Sequence, residues 1–125
     1  MKKILYILMI ILLISCAVNN KEEITVNKIT ADQALEDFNS KKGYIIVDVR
    51  TKQEFDEAHI PGAINIPNEE ISDTKPEELT DLNQEIYIYC RSGNRSNQAA
   101  IKLIRMGYTN IYDFGGIIDW KGDIE

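Results

Sequence analysis

Apolar residues fall along this chain in short runs, and the period within each run announces a different element. The most apolar run covers residues 4–14, directly after Lys2 and Lys3. Further on, Thr30-Ala31-Asp32-Gln33 has the form of a capping box, and Ala34, Leu35 and Phe38 then recur at helical spacing until Gly43. Tyr44-Ile45-Ile46-Val47 is continuous, apolar and rich in β-branched residues, the pattern of a strand buried on both faces. Thr51-Lys52-Gln53-Glu54 opens a second, shorter helix to about residue 58, which His59-Ile60-Pro61-Gly62 breaks. Ala63-Ile64-Asn65-Ile66-Pro67 reads as a brief strand, and Pro76 as the start of a helix over residues 77–82. A strand over 85–89 and a helix over 96–106 follow, the helix turning Ala99, Ala100, Leu103 and Ile104 inward and stopping at Gly107. Asn110-Ile111-Tyr112 is the last strand, before Gly115-Gly116 and the single Trp120. Ile24 and Val26 offer a short edge strand near the start.

Strands alternating with short helices predict an α/β fold built on a mostly parallel sheet. In such sheets ligands gather beyond the carboxyl ends of the strands, often at a helix N-terminus. Cys90 stands at such a corner.

Length and charge narrow the picture. The 125 residues suffice for one domain, and 14 basic against 20 acidic residues leave a net charge of −6. That balance excludes general nucleic-acid binding, which needs a basic face. Any anion site must therefore be local. Two lysines, eleven apolar residues and a small residue at the end are the parts of an export signal, and eleven are too few to span a bilayer, which takes about 20. Leu13-Ile14-Ser15-Cys16 resembles the lipobox of bacterial lipoproteins, in which the cysteine is lipidated and becomes the mature N-terminus. The resulting division is a signal peptide over residues 1–15, a polar tether over 16–28 and a domain over 29–125. The expected location is extracytoplasmic, on the cell envelope, with Cys16 as the lipid anchor to the membrane. Cys90 is then a lone thiol in an exported protein, where disulfides are the norm.

The stretch Tyr-Ile-Tyr-Cys90-Arg91-Ser92-Gly93-Asn94-Arg95-Ser96 ends a strand at the thiol and turns, through small and permissive residues, into a helix near Ser96. Two readings are open at this point: a small residue packed at a strand end, or a reactive thiol in an anion site. Converging backbone N–H groups, a helix N-terminus and two flanking arginines all favour thiolate over thiol. No grouping of His, Cys and carboxylates has metal-ligand spacing.

The loop Cys90-Arg91-Ser92-Gly93-Asn94-Arg95-Ser96 resembles the active-site loop of rhodanese-like domains, the sulfurtransferases. Asp48-Val49-Arg50, Glu54-Phe55 and His59-Ile60-Pro61-Gly62-Ala63-Ile64-Asn65-Ile66-Pro67 resemble that family's early signature, and Gly107-Tyr108 and Gly115-Gly116 with Trp120 its closing segment. The resemblance implies a rhodanese-like α/β fold with helices on both faces of the sheet. It implies that Cys90 takes the outer sulfur of a donor such as thiosulfate as a persulfide and passes it to cyanide or a thiol. Arg91, Ser92, Gly93, Asn94, Arg95 and Ser96 would bind the donor and the persulfide, with Arg91 and Arg95 lowering the thiol pKa. No cofactor is implied; a redox or sulfur-carrier protein is an admissible partner. Two alternatives stand beside this reading. One is a persulfide carrier or sulfide sensor that does not turn over. The other is a cysteine-based phosphatase or arsenate reductase, whose loop places one residue more between cysteine and arginine. His59, Asp48 and Arg50 are read as structural.

Overall fold

The computed structural model describes residues 23–125. The expected leader, Cys16 and the first part of the tether lie outside the described residues. Five strands form one sheet: β1 (Asn27–Lys28), β2 (Ile45–Asp48), β3 (Ile64–Asn65), β4 (Ile86–Cys90) and β5 (Ile111–Gly116), in the order β1-β5-β4-β2-β3. Every neighbouring pair is parallel. Parallel strands need crossover connections, and the helices α1 (Ala31–Ser40), α2 (Lys52–Glu57) and α3 (Asn94–Arg105) lie in three of the four connections between successive strands.

β4 is central and wholly buried, so its alternate side chains build two separate cores. Ile86, Ile88 and Cys90 face Ala99, Ala100 and Leu103 of α3, with Val47, Val49 and Ile111 beside them. Tyr87 and Tyr89 face the other way, against Ala31 and Ala34 of α1 and against Phe114. Phe38 of α1 makes aromatic contacts there with Tyr44, Tyr87, Phe114 and Trp120. Fully burying one such apolar side chain stabilises the fold by about 1.5–3 kcal/mol, so the cores on both faces hold the sheet. The domain thus carries helices on both faces of its sheet, as the fold class requires.

Local chemistry explains the ends of the elements. Thr30 caps α1, its Oγ1 accepting from Gln33 N–H at 3.0 Å. The return half of that box is absent, because the Gln33 amide donates to Asp37 instead. At α2 the box closes in both directions between Thr51 and Glu54. α3 ends with the Gly107 N–H on Ile104 O and the Tyr108 N–H on Leu103 O, the paired bonds of a Schellman stop.

Three predicted segments differ from what forms. The edge strand lies at Asn27–Lys28, just beyond Ile24 and Val26, where the chain reaches Tyr112 and Asp113 of β5. The helix expected over 77–82 does not form; that segment makes turns closed by Leu79 N–H on Pro76 O and Gln84 N–H on Asp81 O. Tertiary contacts hold the segment in that form: the Tyr108 hydroxyl donates to Leu79 O at 2.6 Å and Thr109 N–H to Leu82 O at 2.9 Å. Finally, α3 begins at Asn94, not near Ser96, so only Arg91, Ser92 and Gly93 separate it from β4. Its first turn is polar, and hydrophobic periodicity is blind to it.

Candidate active site

Cys90 ends β4 on the α3 side of the sheet and is 1% exposed. It is the free cysteine among the described residues. Its Sγ accepts the Gly93 N–H at 2.9 Å and lies 3.5 Å from the Ser96 hydroxyl. Ser96, itself buried, donates to Gly93 O at 3.1 Å and is 3.5 Å from Gly115 O. Gly93 makes this geometry: as the N-cap of α3 it has φ 109°, a left-handed conformation that side chains disfavour. The turn points its N–H at the sulfur and starts the helix in the next residue. The N–H groups of the first turn have no intrahelical acceptors, so they and the helix dipole make the thiol's surroundings electropositive.

The opposite wall comes from β5. Ile88 pairs with Asp113 and Cys90 with Gly116, so β5 spends one residue more than β4 between these points. Gly115 takes the bulge with φ 84°, and its N–H is held by the buried Asp113 carboxylate at 2.9 Å. The bulge brings Gly116 so close to the loop that a Cβ there would overlap the Arg91 carbonyl. The same carbonyl accepts the Ile118 N–H at 3.3 Å. The loop after Cys90 is therefore braced here by the backbone of Gly116 and Ile118.

The two arginines differ. Arg95, in the first turn of α3, is clamped by Glu54 of α2 through a two-pronged ion pair of 2.6 and 3.0 Å. The Arg95 guanidinium, assisted by the Thr51 N–H, draws the Glu54 carboxyl down to about 2. Glu54 in turn raises the Arg95 pKa, with a smaller contribution from Cys90. Arg91 is exposed and makes no ion pair among the described residues. Ser92 and Asn94 are exposed.

Asp48 and Arg50 anchor the end of β2. Both are buried; Arg50 gives Asp48 a bidentate pair and donates also to Ala58 O at 2.6 Å. Asn65 of β3 adds bonds to the carbonyls of Asp48 and Arg50. The pair thereby fixes the segment that carries Glu54. His59 stacks on Phe55 with centroids 3.8 Å apart, and its Nδ1 lies 2.9 Å from Phe55 O. Its hydrogen bonds do not reach the thiol. Trp120 packs against Phe38 and Phe114 and also lines a cleft of about 600 Å³ with Ile118 and the start of α1. That cleft includes Gly115 of β5, whose carbonyl lies 3.5 Å from the Ser96 hydroxyl. The described residues contain no cluster of metal-ligating side chains.

The sheet is parallel, and its central strand delivers a buried thiol to the N-terminus of the following helix. The chain belongs to the rhodanese-like domain family, whose pattern it matches over residues 30–123. It is 41% identical over 93 residues to the adenylyltransferase and sulfurtransferase UBA4 of Candida albicans, covering 69% of this chain but 21% of that protein. It is 37% identical over 73 residues to the thiosulfate sulfurtransferase PspE of Escherichia coli, covering 58% of this chain and 70% of the relative. The structure of a rhodanese with anions from E. coli superposes with a TM-score of 0.61 at 33% identity, over 66% of this chain and 96% of that one. The chain thus spans about a fifth of the fungal enzyme and most of the bacterial relative.

Proposed function

We propose that this chain is a sulfurtransferase that moves a sulfane sulfur from a donor such as thiosulfate to cyanide or a thiol, through a persulfide on Cys90. One observation carries the reading: the Cys90 Sγ accepts a backbone N–H at 2.9 Å at the mouth of a helix. The Cys90 thiolate attacks the outer sulfur of thiosulfate; a bond forms to Sγ, the donor's S–S bond breaks, and sulfite leaves with the bonding pair. The outer persulfide sulfur then carries the negative charge, which the first-turn N–H groups and the helix dipole stabilise. Cyanide or a thiolate attacks that outer sulfur, taking it as thiocyanate or a new persulfide, and Cys90 returns to thiolate. Similarity to a thiosulfate sulfurtransferase and to a rhodanese solved with anions supports this choice of donor. A tetrahedral phosphoryl group fits less well, because Arg95 is committed to Glu54 and stands one residue nearer the cysteine than in phosphatase loops.

The test is the intact mass of the protein after thiosulfate, then after cyanide. The expected result is gain of one sulfur on Cys90, its loss to the acceptor, and repeated turnover; Cys90→Ala should gain none. A chain that never gains sulfur, or a Cys90→Ala chain that still does, overturns the reading. A single loading without repeated turnover assigns a carrier instead.

We also propose that Cys16 bears a lipid and holds the domain on the outer side of a membrane, on the strength of the lysine-led apolar run and Leu13-Ile14-Ser15-Cys16. The Cys16→Ser chain is expected in the soluble fraction. Its retention in the membrane, fully processed, would exclude lipidation.

A further inference from the structure

By its position in the chain Glu54 is the closing residue of the α2 capping box. In the fold its Oε1 accepts Thr51 N–H at 3.4 Å, Thr51 Oγ1–H at 3.2 Å and Arg95 Nη1–H at 2.6 Å, while Oε2 takes Arg95 Nη2–H at 3.0 Å. One carboxylate therefore ties the start of α2 to the first turn of α3, the turn that faces the thiol. Both side chains are only 28–29% exposed, so the pair is shielded from solvent, and its bidentate geometry fixes direction as well as distance. Formally it is neutral. The loop's remaining guanidinium, Arg91, has no acidic partner among the described residues.

We propose that Glu54 is a positioning residue of the sulfur-transfer site, acting through Arg95 on the first turn of α3, and that it leaves Arg91 as the cation that recruits the anionic donor. This rests on the sulfurtransferase reading. It divides labour between two arginines that the sequence presents as equivalent. Arg95 and Glu54 set the orientation of the N–H groups around the persulfide; Arg91 sets the affinity for the incoming dianion.

The test compares the parent chain with Arg91→Gln and with the double variant Glu54→Gln/Arg95→Gln, which removes the pair without changing net charge. Two readouts are used: steady-state transfer from thiosulfate to cyanide, and the ratio of Cys90 alkylation rates by anionic iodoacetate and neutral iodoacetamide, read on the Cys90 peptide. Arg91→Gln is expected to raise KM for thiosulfate about tenfold and to lower the alkylation ratio several-fold, with kcat little changed. The double variant is expected to keep both KM and the alkylation ratio within about twofold of the parent while kcat falls about tenfold. If the double variant raises KM and lowers the ratio as far as Arg91→Gln, Arg95 is a donor ligand and the proposal fails. It fails also if kcat is unchanged in the double variant. The alkylation ratio needs no sulfur transfer: if the ratios in the three proteins are as expected but the parent never turns over, the sulfurtransferase reading fails and takes with it Glu54's part in transfer, while the division between Arg91 and Arg95 stands. Parent protein that neither alkylates nor loads sulfur would sink both.

Discussion

Gly116 shows how much of a site one missing methyl can decide. Its backbone is extended, so no unusual dihedral demands glycine there; the demand comes from the Arg91 carbonyl, which occupies the space a Cβ would need. Neither side can yield easily, because Arg91 O is bonded to Ile118 N–H and Gly116 pairs with Cys90 across the bulge. Gly116→Ala is therefore expected to destabilise the domain by about 1–3 kcal/mol, as overpacking does, and to depress sulfur transfer further by displacing the loop. Urea unfolding and steady-state rates on the same preparation check this; unchanged stability and rate would show that the contact relaxes freely. Ser96 teaches the complementary lesson. It is an ordinary helix residue by position, yet its hydroxyl is shared among Cys90, Gly93 and Gly115.

At the scale of elements, α2 and α3 meet through Glu54 and Arg95. The folded Glu54 carboxyl is lowered from 4.5 to about 2, chiefly by the Arg95 guanidinium. The sign follows from linkage: a depressed carboxyl stabilises the fold fully above its unfolded pKa of 4.5, and this contribution disappears as pH falls through about 2. Glu54→Gln is thus expected to be less stable than the parent at neutral pH, the gap closing between 4.5 and about 2. Urea titrations across that window measure it, and a gap independent of pH would show that the pair contributes no pH-linked stability. The sequence discloses elements unevenly for identifiable reasons. β2 and β4 are legible because their short, continuous runs are rich in β-branched and aromatic residues, which favour a buried strand. The caps at Thr30 and Thr51 are legible because they are local. The start of α3 is misplaced because Asn94 and Arg95 have nothing to bury, and the 77–82 segment because it is held in turns by contacts from Tyr108 and Thr109, which no local pattern reveals. Cys90 and its loop could be read as a site, whereas Glu54's reach to Arg95 and the Gly116 contact are products of tertiary structure.

On the scale of the whole molecule, charge and position work in opposite senses. A net charge of −6 repels an anion at long range, whereas the proposed donor would have to arrive at the corner where β4 meets α3. That corner is electropositive by construction, from backbone dipoles and from Arg91, which has no acidic partner among the described residues. None of the helices in the described residues is long and apolar enough to cross a membrane, so the proposed anchoring depends on the residues before the domain. The wall behind the thiol has a broader consequence. Gly115 and Gly116, more than twenty positions along the chain from Cys90, supply a surface without which the turn at Gly93 has nothing to lean on. The loop is therefore not a portable cassette. Transplanted alone onto another strand-to-helix corner, Cys90 to Ser96 would carry its letters but not its shape; a successful graft has to bring the neighbouring strand, with its extra residue, as well.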